Sequence, residues 1–132
     1  MIIEINNITK NKINTKILQK GIAAFNKKIK AGDETVSVAF VSEAKIKELN
    51  KRYRGINKVT DILSFVGDKD NFGELIICYP QIKRQAKEGH HSIDDELLFI
   101  FIHGLLHLAG YDDETDKGHK EMMELGKKLC QV

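Results

Sequence analysis

His103 and His107, four residues apart in the segment HGLLHLAGYDD, are the residues whose type and spacing most directly suggest chemistry. On an α-helix, positions i and i+4 share one face about one turn apart, so two imidazoles placed this way can hold a single ion. Both interrupt an otherwise apolar stretch, where an unpaired imidazole would cost about 1–3 kcal/mol. A backbone carbonyl or carboxylate could satisfy each ring, as could a shared metal. The residues that follow favour the metal. Gly110 permits a sharp turn after the helix, and the acidic run Asp112, Asp113, Glu114 can then swing back to offer a third ligand. Two histidines and one carboxylate make a recurrent hydrolytic site, with zinc the expected ion. A glutamate directly after His103 would complete H-E-x-x-H, the metalloprotease motif, but that position is Gly104, so peptidase chemistry lacks its general base.

The elements that must position the pair follow from periodicity. Ile3 and Ile5 alternate with polar residues in a first strand, and Ile13, Ile17, Gly21, Phe25 and Ile29 recur at helical spacing over 12–30. TVSVAFV at 35–41 is a second strand. Ser42 is placed to cap a helix to about Tyr53, with Ile46, Leu49 and Tyr53 on its buried side, and Arg54-Gly55 ends it. Strands at DILSFV and GELIICY are joined closely enough for a hairpin, and Pro80 suits the first turn of a helix over about 81–88. Ser92-Ile-Asp-Asp reads as a helix start with acids at its positive end. The helix through Leu97–Leu108 is apolar on nearly every side and is therefore expected at the centre of the fold. Met122, Leu125 and Leu129 mark a last helix. The order β-α-β-α-β-β-α-α-α implies an α+β domain with a small mixed sheet of about four strands and about five helices.

With 132 residues and 42% apolar content the chain is expected to fold as one domain, 1–132. A net charge of +2 excludes a strongly basic nucleic-acid coat, yet the charge is polarised. Lys45, Lys47, Lys51, Arg52, Arg54 and Lys58 cluster against one acid, Glu48, whereas Asp112 to Asp116 holds four acids and no base. Cys78 and Cys130 form no C-x-x-C pair and fit a reducing compartment. No secretory signal or membrane-spanning run is evident, so a cytoplasmic protein is expected.

HGLLHLAGYDD resembles the signature H-G-x-L-H-L-x-G-Y-D-H of the YbeY family of bacterial endoribonucleases and ribosomal RNA maturation factors, agreeing at every specified position except the last. LNKRYRGINKVTDILSF, from Leu49 to Phe65, is similar to the family's upstream stretch, and Gly73 to Cys78 to its later strand. The resemblance implies a zincin-like domain with its metal site on the central helix, one zinc ion, and a role in processing small-subunit ribosomal RNA. It also implies single-stranded or ribosomal RNA as the partner, with the ribosome or ribosomal proteins as further partners. In the family pattern the position of Asp113 is the third histidine ligand. A carboxylate there keeps a donor but hardens it, which opens the site to other divalent transition metals. His119, in the same region, is the alternative third ligand.

Arg54 is implied to handle RNA phosphate, and its planar fork of donors suits that task. Together with His103 and His107 it forms the expected catalytic set. Lys51, Arg52 and Lys58 are expected to add sequence-independent attraction to the RNA backbone, weakening with salt. Asp112 is either a carboxylate that orients a histidine ligand or a turn residue bonding its local backbone. Tyr111, Phe99, Phe101, Met122 and Met123 are expected to pack. Zinc with an open position lowers the pKa of bound water from about 15.7 toward about 7, which would serve attack on phosphorus or deprotonation of a 2′-hydroxyl. The rival from another class is a non-catalytic ribosome-assembly factor with a structural metal, and a metallopeptidase is a third reading. Structural zinc sites usually have four protein ligands, and only three candidates are evident here.

Overall fold

The computed structural model describes residues 1–30, 32–112 and 114–131. Nine elements follow the expected order: β1 (Ile2–Asn7), α1 (Thr15–Lys28), β2 (Thr35–Phe40), α2 (Glu43–Arg54), β3 (Ile62–Val66), β4 (Asn71–Ile77), α3 (Tyr79–Glu88), α4 (Ile93–Leu108) and α5 (Asp116–Cys130). The first helix starts later than its apolar spacing suggests because Asn14 caps it, its side chain accepting from the Lys16 N–H at 3.2 Å. Ser42, Ser92 and Thr115 cap α2, α4 and α5 in the same way.

The sheet has the order β1-β2-β4-β3. β1 and β4 run parallel to β2, and β3 folds back antiparallel on β4 as a hairpin, leaving β3 at one edge. Side chains alternate across it. Val36, Val38, Phe40, Leu75 and Ile77 face the main core, built with Leu18, Ile22 and Phe25 of α1, Ile82 of α3, Met122 and Leu129 of α5, and most of α4. Ile76, Leu63 and Cys78 join Ile46 of α2 in a second cluster on the opposite face. Ten of the sixteen residues of α4 are buried, which makes it the central helix. Among the described residues no helix is long and apolar enough to cross a membrane.

Two close approaches bring α4 against the β3–β4 hairpin. A Cβ on Gly104 would stand 2.7 Å from Ile62 Cδ1 and 2.9 Å from Leu75 Cδ2. At the helix's far end, Gly73 in β4, at φ +152°, accepts the Leu108 side chain where a Cβ would meet it at 2.6 Å. Gly110, at φ +101°, then reverses the chain: its N–H donates to His107 O at 3.0 Å and the Tyr111 N–H to Leu106 O at 3.1 Å, the paired bonds of a Schellman stop.

Candidate active site

His103 and His107 project from the stripe of α4 left uncovered beside β3, and both are half-buried. Their ring centroids lie 4.9 Å apart with planes inclined at 80°. Phe99, one turn before His103, stacks on its ring at 6.2 Å and 24°. Phe99, expected to be core, is half-buried and packs against the main core, and it also lines the site, a second role that its i−4 spacing from His103 could have signalled.

A cavity of about 620 Å³ opens over the pair. Its lining comes from three places: Tyr53 and Arg54 at the end of α2, Thr60 to Phe65 in and before β3, and Phe99, Ile100, His103 and His107 of α4. Arg54 is exposed, and the structure brings it into one cavity with the histidine pair. Lys51, Arg52 and Lys58 are exposed nearby in sequence, outside the cavity lining. The expected buried position of Tyr53 is corrected. The residue is 57% exposed, because α2 ends there over the mouth of the cavity rather than over the sheet.

The Arg54 segment is anchored from within. Gly55, at φ +71°, ends α2 in the left-handed conformation, its N–H donating to Lys51 O. Asn50 is buried, and its Nδ2 donates to Lys58 O at 2.9 Å, tying the basic loop back to the helix; its buried Oδ1 has no hydrogen-bond partner among the described residues. Asp61 is tied down in turn. Its Oδ1 accepts from the Ile62 N–H at 2.7 Å and its Oδ2 from Gln85 Nε2 at 3.2 Å. The same Gln85 nitrogen reaches the buried Glu96 at 3.1 Å, and Glu96 pairs with His91. A carboxylate in the cavity wall is thereby joined through α3 to the first turn of α4. Thr60, Asp61, Ser64 and Phe65 had not been singled out as site residues, because a strand edge becomes a site wall only once α4 is docked beside it.

Two half-buried imidazoles side by side are a donor set that suits zinc and related ions. Asp113 lies outside the described residues. Among the described residues no group of three His, Cys, Asp or Glu side chains is gathered as a metal site, and His119 is exposed in the first turn of α5. Asp112 Oδ1 accepts from the Glu114 N–H at 3.2 Å, the bond expected of its turn reading. Tyr111 packs against the main core, as do Phe101 and Met122. Gly104, where a metallopeptidase of the H-E-x-x-H type carries its base, faces the apolar ends of Ile62 and Leu75.

Comparison with known proteins gives a consistent result. The family model described as Endoribonuclease YbeY matches residues 3–132. A relative from Thermotoga maritima, named Endoribonuclease YbeY, is 46% identical over 102 residues, covering 76% of this chain and 68% of its own. One from Bacillus thuringiensis with the same name is 39% identical over 126 residues, covering 85% of this chain and 80% of its own. The solution structure of TM1509 from Thermotoga maritima superposes with a TM-score of 0.69 at 38% identity, covering 98% of this chain and 87% of that one. The chain therefore belongs to the endoribonuclease YbeY family.

Proposed function

We propose that this chain is a single-strand-specific, metal-dependent endoribonuclease acting in ribosomal RNA maturation, in late small-subunit processing and ribosome quality control. One observation carries the reading: Arg54 and the His103–His107 pair line the same cavity. The relatives' names supply the reaction class. His103 and His107 would hold one zinc ion, with Asp113 as third ligand and His119 as the alternative. When bound, the ion would supply Lewis acidity and water made acidic enough to ionise near neutral pH.

The chain's own residues do the rest. Arg54 offers a permanently charged fork of donors to a phosphate, whose oxygens gain negative charge as the phosphodiester reacts. Gly55 and Asn50 hold the backbone that carries it. Phe99 restricts the tilt of the His103 ring. Lys51, Arg52 and Lys58 attract the RNA chain without reading its sequence.

The test uses wild type and His107→Ala, purified side by side and given single-stranded RNA, the duplex of the same sequence, and casein. The expected result is cleavage of the single strand alone, and by wild type alone. Equal RNA cleavage by both proteins would refute the assignment.

A further inference from the structure

We propose that Tyr53, braced by Phe65, is a stacking platform for one unpaired nucleobase at the mouth of the cavity, and that it gives the site its preference for single strands. The inference rests on the RNA reading above and supplies its recognition element.

Tyr53 is 57% exposed on the rim of a cavity lined by polar and apolar groups alike, so part of its aromatic surface is left open to solvent. Its position is fixed from two sides. The backbone stands in the last turn of α2, just before the left-handed Gly55 cap, and the ring meets that of Phe65 on β3 edge-on, with centroids 5.2 Å apart and planes at 72°. Ring and strand edge therefore form a preset surface rather than a loose side chain. The Arg52 guanidinium lies over one face of the Tyr53 ring, 5.6 Å from its centroid, which leaves the opposite face for a base, and Arg54 follows in the cavity lining. An aromatic face beside guanidinium groups is complementary to one nucleotide, with its flat base and anionic phosphate. An apolar peptide side chain would use the ring but leave these cations unmatched.

In a duplex the faces of each base are covered by neighbouring base pairs, so only an unstacked base can lie on such a platform. Stacking is also indifferent to the 2′-hydroxyl. The platform should therefore accept single-stranded DNA as a ligand while leaving the choice of RNA for cleavage to other groups.

The experiment measures binding of the full chain to a labelled single-stranded RNA and to an abasic ribose-phosphate polymer of equal length, by fluorescence anisotropy at one fixed salt concentration. Tyr53→Ala should weaken RNA binding roughly 5- to 100-fold and leave the abasic polymer unchanged, while Tyr53→Trp restores RNA binding. Single-stranded DNA should compete with the RNA, and duplex should not. RNA binding unaltered in Tyr53→Ala, or an equal loss for both polymers, would overturn the proposal, as would failure of wild type to bind RNA. If wild type cleaves RNA while Tyr53→Ala binds it normally, the platform fails and the proposed function stands. If base-dependent binding is lost in Tyr53→Ala but wild type cleaves nothing, the platform stands and the enzyme reading fails.

Discussion

A Cβ added to Gly104 would stand 2.7 Å from Cδ1 of Ile62, so the close contact of helix α4 with strand β3 uses the absence of a side chain here, and any larger residue would make the ends of Ile62 and Leu75 shift. The histidines on either side of that glycine turn are thereby held beside the strand edge and its cavity. Gly104→Ala should change stability little, because the ends of Ile62 and Leu75 can yield and Ala is favoured over Gly in a helix interior by about 0.5–1 kcal/mol, whereas Gly104→Glu, which places a carboxylate among apolar groups, should clearly destabilise the fold. Urea unfolding midpoints would measure both. Gly104→Glu should hydrolyse no casein despite restoring the letters of the peptidase motif, because its carboxylate would point at Ile62 and Leu75.

The hydrogen bond from Asn50 to Lys58 O yields a second expectation. Asn50→Ala leaves a carbonyl without its donor and should destabilise the fold by about 1–3 kcal/mol. Part of that cost is offset because the unpartnered Oδ1 disappears as well. The loop that follows Arg54 and carries Lys58 should loosen, so a raised KM for RNA is expected alongside a lowered unfolding midpoint. An unchanged KM would mean that the loop holds its position without this bond.

Thiol titration gives a pH dependence with a definite sign. Burial pushes the Cys78 thiol above its ordinary value of 9.0, with smaller opposing effects from a backbone bond at Gln81 and from Arg84, and burial does the same for Cys130. Above about pH 9 the unfolded chain loses thiol protons that the native chain keeps. Stability is therefore undiminished by these groups below that pH and falls as pH rises through it. Denaturant midpoints at about pH 8 and about pH 10 should show a smaller fall for Cys78→Ala than for wild type.

Much of this arrangement was legible in the sequence, because its signals are local. Ser42 and Ser92 cap the helices they precede, Gly110 ends α4 and the β3–β4 hairpin forms where the two short strands suggest it. Tyr53 was misplaced, and the second contact of Phe99, which packs on the main core and also lines the cavity, was missed. Helical periodicity identifies an apolar face but does not say whether that face meets the sheet or overhangs a cleft. The link from Asp61 through Gln85 to Glu96 was invisible for a related reason, since its members come from three separate elements.

The third ligand calls for a direct comparison. Asp113→Ala should lower zinc affinity about tenfold or more, while His119→Ala should leave it unchanged; the opposite pattern would transfer the role to His119. A carboxylate neutralises part of the ion's charge, so Asp113→His should shift the pH–rate profile to lower pH and change the preferred metal. Identical zinc content and rate in Asp113→His would contradict this effect of the carboxylate on metal preference and activity.

The most direct test of the account determines zinc per chain and the rate of single-stranded RNA cleavage on the same preparations of wild type, Arg54→Ala and His107→Ala. Arg54→Ala should keep its zinc and lose about two orders of magnitude in rate, as expected when a donor to developing charge is removed. His107→Ala should lose both zinc and cleavage. Full-rate cleavage by a zinc-free His107→Ala protein would contradict the claim that the cavity shared by Arg54, His103 and His107 is a metal-dependent ribonuclease site.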